Sequence, residues 1–269
     1  MIIDFHTHIF PDKIAASTIK LLGENCGITA YSDGTLASLV RALDVSSVDI
    51  AINLPPLTKP TQFDSVKNFA LGINNTKFEK SRIISFAGIH PECSDVDSKL
   101  CELKELGFKG IKLHPDYQGT FFDDKKYIEI IKFAKKYGLI VVTHAGLDAA
   151  YIGEPIKCTP KRVLRLLDAV GGYSKLVLAH LGGNTLFDEV YELLAGEDVY
   201  FDTAYILSQI KPDMFLKILE KHGEDKILFA TDSPWQDIKK DVERLRAYNL
   251  EKRTEEKIFS KNAISLLKL

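Results

Sequence analysis

The stretch Ile2-Ile3-Asp4-Phe5-His6-Thr7-His8 decides how the rest of the chain is read. It is a short apolar run that ends in two histidines one residue apart. Side chains on a strand alternate faces, so residues i and i+2 point the same way. His6 and His8 therefore leave the end of one strand together, as two imidazoles suited to a borderline-soft divalent metal such as zinc. A bare His-x-His also recurs by chance, and two surface histidines near a chain terminus look the same. A metal needs further ligands from elsewhere in the sequence.

Seven more runs of the same kind follow: Asp49–Ile52, Ile83–Ala87, Gly110–Leu113, Leu139–Thr143, Leu176–Ala179, Val199–Asp202 and Ile227–Ala230. They are nearly continuous in Ile, Val, Leu and Phe, as strands buried on both faces are. Helical patterns lie between them. Phe63–Phe78 repeats apolar residues at Val66, Phe69, Ala70 and Ile73, a period near 3.6, and Tyr127–Tyr137, Arg162–Val170, Phe187–Leu194 and Met214–His222 behave alike. Gly107, Gly138 and Gly171 end helices ahead of the next strand, where a left-handed C-cap favours glycine.

Eight strands alternating with helices predict an α/β fold, a (β/α)8 TIM barrel. A doubly wound open sheet fits less well, because no Gly-x-Gly-x-x-Gly follows the first strand. Asn25–Ser47 is longer than one crossover requires. With its helical pattern at Thr35–Leu43, it is expected to form an insertion after strand one, lying over the mouth as a lid. Lys239–Tyr248 completes the eighth helix, and Thr254–Leu269 predicts one extra C-terminal helix. Without repeats or linkers, residues 1–269 read as a single domain.

Composition narrows the function. Of 269 residues, 45% are hydrophobic and 27% charged, an ordinary globular balance. The net charge of -2 points to neither nucleic acid nor an anionic membrane as partner. No apolar run approaches the roughly 18 residues that span a bilayer. The chain starts with a strand-like run and shows no secretory signal pattern, and Cys26, Cys93, Cys101 and Cys158 form no C-x-x-C pair. A cytoplasmic protein with reduced thiols is expected, acting on a small molecule. Assembly into a homo-oligomer is left open.

The polar residues at the strand ends supply the missing ligands. His90 follows strand three. Lys112 ends strand four and His114 comes after it. Strand five ends in His144, strand six in His180, and strand eight in Asp232 of Thr231-Asp232-Ser233-Pro234-Trp235. Of seven histidines only His222 lies away from such an end. In a barrel these ends meet on one face, where active sites sit. The convergence makes a metal site the expected centre.

At this point the chain resembles the amidohydrolase superfamily, nearest its amidohydrolase-2 branch, with TatD-type hydrolases a more distant likeness. The matching pieces are Asp4-Phe5-His6-Thr7-His8, Gly110-Ile111-Lys112-Leu113-His114-Pro115, Thr143-His144-Ala145-Gly146, Ala179-His180-Leu181-Gly182-Gly183 and Ala230-Thr231-Asp232-Ser233-Pro234. The resemblance implies His6, His8, His144 and Asp232 as metal ligands, with His180 binding a second metal or polarising the substrate. It implies one or two divalent ions, with Zn2+ expected and Mn2+, Fe2+ or Ni2+ as substitutes. Asp232 would move protons, and a metal-bound water of pKa about 7 would be the nucleophile.

Lys112 has three readings: a carbamate bridging two metals, as the resemblance suggests, a cation that holds a substrate carboxylate, or a packed stem whose charge pairs with an acid. His114 and Trp235 are expected to line the substrate cleft. His90 faces the substrate, supports a ligand, or caps its own loop. Asp202 is placed to orient a ligand histidine. Tyr205 sits where a substrate ring could stack, and Asp4 is expected to pack under strand one. The expected activity is hydrolysis of an amide, ester or lactone in a small, carboxylate-bearing substrate. A decarboxylase of the same branch is the alternative. A TatD-like nuclease lacks support in a chain without basic excess or a strand-four glutamate, and a non-catalytic metal-binding barrel is disfavoured by the intact Asp232.

Overall fold

The computed structural model describes residues 1–269. Nine parallel strands run β1 (Ile3–Thr7), β2 (Ile50–Asn53), β3 (Arg82–Ser85), β4 (Ala87–Gly88), β5 (Gly110–Leu113), β6 (Ile140–Thr143), β7 (Leu176–Leu178), β8 (Tyr200–Asp202) and β9 (Ile227–Leu228). They pair in the orders β1-β2-β3 and β4-β5-β6-β7-β8-β9. The run expected at Ile83–Ala87 is β3 and β4, parted only at Phe86, whose ring fills the barrel interior. The ring closes between the first and last strands. The Phe5 amide donates to the Phe229 carbonyl (2.9 Å), Asp232 to His6 (2.8 Å) and His8 to Ser233 (2.6 Å). The fold is thus the expected (β/α)8 barrel, with β3 and β4 acting as one of its strands.

The apolar runs work on both faces, as the sequence pattern demands. Outward residues such as Ile111, Leu113 and Val141 join the large cluster beneath the helices, while Ile3, Phe5, Ile50, Ile52, Ile140 and Val142 fill the barrel. Close packing leaves no room for a side chain at residue 110. A Cβ there would lie 2.4 Å from the Ile140 carbonyl oxygen and 2.5 Å from the Phe86 ring. In β1 the register with β2 shifts between Asp4 and Thr7. This irregularity lets the successive residues Phe5 and His6 both face the interior, Phe5 in the apolar layer and His6 above it.

The helices are α1 (Asp12–Cys26), α2 (Leu36–Ser46), α3 (Phe63–Asn74), α4 (Val96–Glu105), α5 (Lys125–Tyr137), α6 (Pro160–Val170), α7 (Phe187–Glu189), α8 (Pro212–His222), α9 (Ile238–Ala247), α10 (Lys252–Glu256) and α11 (Asn262–Leu267). The lid expected from Asn25–Ser47 is placed differently. The helical part of that segment is α2, capped by Thr35 and buried through Leu39 and Leu43 as an ordinary crossover helix. The cover over the mouth is α1, whose only buried residue is Ala15. The C-terminal helical run is continuous from α10 through a widened turn at Lys257–Lys261 into α11. It seals the opposite end. Ala263, Leu266 and Leu267 join the inner cluster, and the Ile258 carbonyl accepts the Phe229 amide. No helix is long and apolar enough to cross a membrane.

Candidate metal centre

β1 and the segment after β9 bring three ligand atoms together. His6 Nε2 lies 3.1 Å from His8 Nε2, His8 Nε2 lies 3.1 Å from Asp232 Oδ1, and His6 Nε2 lies 3.5 Å from the same oxygen. Two carboxylates that touch neither the cleft nor the ligand point hold this arrangement. Asp4 is fully buried, and its Oδ1 accepts the amides of His6 (3.2 Å) and Thr231 (3.0 Å) while Oδ2 accepts the Thr231 hydroxyl (2.6 Å). Burial pushes the Asp4 carboxyl up to about 7. It pins β1 to the segment that carries Asp232, whose backbone takes a left-handed turn (φ 69°). Asp202 does the orienting expected of it. Its Oδ2 accepts from His6 Nδ1 (2.9 Å), and its Oδ1 accepts the amides of His180 (2.9 Å) and Ala204 (3.0 Å). With the proton on Nδ1, the lone pair of His6 Nε2 faces His8 and Asp232. Burial first, then the Lys112 cation, holds His6 well below its usual pKa and therefore neutral.

Two imidazole nitrogens and one carboxylate oxygen converging on a point fit a divalent transition ion with open positions. Lys112 stands beside them, 1% exposed, with Nζ donating to His6 Nε2 at 2.9 Å. Burial pushes its ammonium down to about 8. No carboxylate lies in ion-pair range of it, which speaks against the reading in which its charge pairs with an acid.

The remaining strand ends form a second group on the facing wall. His144 was grouped with His6, His8 and Asp232, but its ring turns the other way. Its Nδ1 lies 3.0 Å from His180 Nε2, and it stacks on His114 with centroids 4.4 Å apart. The tether of His180 explains this orientation, since His180 Nδ1 donates to the Ala204 carbonyl (2.9 Å) and leaves Nε2 to accept from His144. His114 Nε2 faces Asp148 Oδ2 at 3.3 Å, and Tyr117 stacks on the other face of His114. Asp116 and Asp148, in the loops after β5 and β6, escaped the reading of the sequence, because neither ends a strand nor sits in a motif. Burial, and then the Asp148 carboxylate, push Asp116 up to about 6.

His90 is corrected. It does not line the cleft; its Nδ1 accepts the Glu92 amide at 3.0 Å and so caps the turn that Pro91 begins. His222 is a packing residue, stacked on Phe201 (3.9 Å) and bonded through Nε2 to the Val199 carbonyl (3.1 Å).

The cleft holds about 570 Å³. His6, His8, Lys112, His114, His144, His180 and Asp232 lie on its floor, Trp235 and Tyr205 on its side, and Ile14, Leu21 and Leu22 of α1 with Val66 and Phe69 of α3 form an apolar roof.

A family model described as amidohydrolase matches residues 93–269. The chain belongs to the amidohydrolase family, a class of metal-dependent barrel enzymes. No match is found among curated proteins. Among solved structures it is similar to a dihydroxybenzoic acid decarboxylase from Polaromonas sp. JS666 with bound manganese and 2-nitroresorcinol (17% identity, TM-score 0.75, 100% of this chain and 97% of that one). It is similar also to a 5-carboxyvanillate decarboxylase from Novosphingobium aromaticivorans with manganese and 4-hydroxy-3-methoxy-5-nitrobenzoic acid (17%, TM-score 0.74, 100% and 96%). A TIM-barrel protein from Bordetella bronchiseptica matches at 15% identity (TM-score 0.72, 99% and 98%). At these identities the likeness shows the barrel.

Proposed function

We propose that the protein is a metal-dependent decarboxylase that releases CO2 from a small hydroxylated aromatic carboxylate. The observation that carries this reading is the Lys112 ammonium, buried at the ligand point of His6, His8 and Asp232, beneath an apolar roof. It is the one cation on the floor of the cleft, and an apolar ring with a carboxylate complements it. The two decarboxylases similar in fold, both holding manganese, support the same choice. The hydrolytic reading of the sequence has support only at the level of the family.

In this reading a divalent ion held by His6, His8 and Asp232 supplies a Lewis acid for the substrate's oxygens. Lys112 binds the carboxylate before reaction. Asp232 Oδ1 faces the two histidines, which leaves Oδ2 to carry a proton. That proton goes to the ring carbon bearing the carboxylate. The bond to the carboxylate carbon then breaks, its electron pair returns to the ring, CO2 leaves, and Asp232 remains as the carboxylate.

The test is incubation of the manganese-loaded protein with 2,6-dihydroxybenzoate and a panel of hydroxybenzoates, with CO2 and phenol measured together. Equal amounts of both are expected, and Asp232→Asn is expected to lower the rate about 10²–10⁴-fold. Turnover of esters or lactones without CO2 returns the assignment to hydrolysis. Absence of CO2 across the panel from metal-loaded protein refutes decarboxylation of this class.

A further inference from the structure

We infer that the substrate carries an apolar tail, such as an alkyl chain, opposite its carboxylate, and that the space under α1 and α3 receives it. This names the substrate more closely than the proposed function does, and rests on that reading for the carboxylate end alone. Helix α1 is amphipathic, but its apolar stripe packs on no other part of the chain. Ile14, Leu21 and Leu22 repeat at helical spacing and line the cleft, whereas Lys13, Lys20 and Glu24 do not. The only buried residue of the helix is Ala15. Ile14 is 49% and Leu21 57% exposed, and what they are exposed to is the cleft. An apolar stripe of this kind lies against water until an apolar ligand covers it.

Two further observations say what covers it. The first is continuity with the reacting end. The cavity that has Lys112 and Asp232 on its floor is the one these residues line, and α1 and α3 add no charged side chain to it. Val66 and Phe69 of α3 extend the apolar lining. Gln62, just ahead of α3, is engaged by its own turn, its Oε1 accepting the amides of Thr58 (2.8 Å) and Lys59 (3.0 Å). A ligand group lying here meets mostly apolar surface. The second is size. Ile14 and Leu21 are two turns apart, about 10.5 Å along the helix at 1.5 Å per residue. That is longer than one aromatic ring. The cleft of about 570 Å³ has room for about nineteen waters at ~30 Å³ each, against about eleven non-hydrogen atoms in a single-ring dihydroxybenzoate. With the carboxylate at Lys112, the ring position opposite it points away from the floor, toward α1 and α3.

The test is calorimetric titration of the manganese-loaded protein with 2-nitroresorcinol and its 5-methyl, 5-propyl and 5-pentyl derivatives, in which a nitro group that cannot leave stands for the carboxylate. CO2 release is scored separately on the matching 4-alkyl-2,6-dihydroxybenzoates. Each buried methylene is expected to tighten binding about fourfold, so the pentyl compound should bind at least about 100-fold tighter than the parent. In turnover KM should fall along the series with kcat within about twofold, because the tail is bound alike before and during reaction. Leu21→Gln and Ile14→Gln change exposed positions, so their circular dichroism should match the wild type. Each should lose at least about tenfold of the pentyl gain. A gain below about threefold in the wild type overturns the inference, as does a full gain in both variants. A wild-type dimer that either substitution splits assigns the stripe to a second copy of the chain and overturns it too. Decarboxylation fails on its own terms: a rising affinity series without CO2 refutes that reaction and keeps the tail site, whereas CO2 with a flat series does the reverse. If no member of the series binds, both fall.

Discussion

Replacing Asp202 by Asn tests how the metal centre is set up from below. The carboxylate is fully buried and makes three hydrogen bonds: Oδ2 to His6 Nδ1 (2.9 Å), and Oδ1 to the amides of His180 (2.9 Å) and Ala204 (3.0 Å). Asparagine has nearly the same shape but only one acceptor oxygen. Two amides hold that oxygen, so the amide NH2 faces His6 Nδ1, donor against donor. His6 relieves the clash by moving its proton to Nε2, which removes the lone pair aimed at His8 and Asp232. Losing such an orienting partner costs about 10–100-fold in metal affinity. That equals about 1.4–2.8 kcal/mol of binding free energy. The assay is competition for Zn2+ or Mn2+ against a chromophoric chelator, on protein whose far-ultraviolet circular dichroism matches the wild type. His8→Ala serves as the reference for loss of a direct ligand. Wild-type affinity in Asp202→Asn would refute the tautomer argument and leave Asp202 with a packing role alone.

Three further outcomes follow from the geometry. His222 is buried and neutral, and burial pushes its pKa down to about 4. The unfolded chain takes up this proton near the usual 6.5 and the folded one only near 4, so stability is complete above pH 6.5 and falls as the pH drops through that window. The loss is about 3 kcal/mol. In His222→Phe, which keeps the stack on Phe201, urea melts of the metal-free protein should show a shallower fall between pH 7 and 4.5; parallel profiles would contradict this. Helix α1 buries only Ala15 while its apolar residues face the cleft. Its amides should exchange with deuterium well ahead of those of α5 and slow when 2,6-dihydroxybenzoate binds, and equal protection in both helices would remove the lid role. Gly146 has φ +86°, and a Cβ there would lie 2.1 Å from the Asn184 nitrogen. Gly146→Ala should cost at least about 1–3 kcal/mol, read as a lowered Tm, and an unchanged Tm would show that this loop yields.

The barrel was legible because its strands are buried on both faces. Runs such as Leu139–Thr143 and Gly110–Leu113 leave little doubt about a parallel sheet. Helix α1 was not legible. Its apolar residues Ile14, Leu21 and Leu22 look into a cavity rather than a core, and Lys13, Lys20 and Glu24 break the stripe. Pro11 with Asp12 at its start was the available signal. For the site, position at a strand end singled out His6, His8, Lys112, His114, His144, His180 and Asp232, and all seven line one cleft. Ring orientation was out of reach. It depends on the Asp202 carboxylate and the Ala204 carbonyl, which are remote in sequence from the histidines they hold. For His90 the strand-end position left substrate-facing, supporting and loop-capping readings open, and the turn begun by Pro91 draws its ring to the Glu92 amide. Asp116 and Asp148 lie in loops, whose paths no periodicity specifies.

The seam between β1 and the segment after β9 is also where residues more than two hundred positions apart must meet, as Thr231 and Asp4 do. Contacts of such long sequence separation are the slowest to form, because chain entropy opposes them until the rest of the barrel is in place. The residues proposed to hold the metal straddle this seam, with His6 and His8 on one side and Asp232 on the other. An ion held by all three would therefore act as a rivet across the last joint to close. It recognises only the finished ring, and by mass action it stabilises that ring against opening at the point where the two ends of the chain could most easily part.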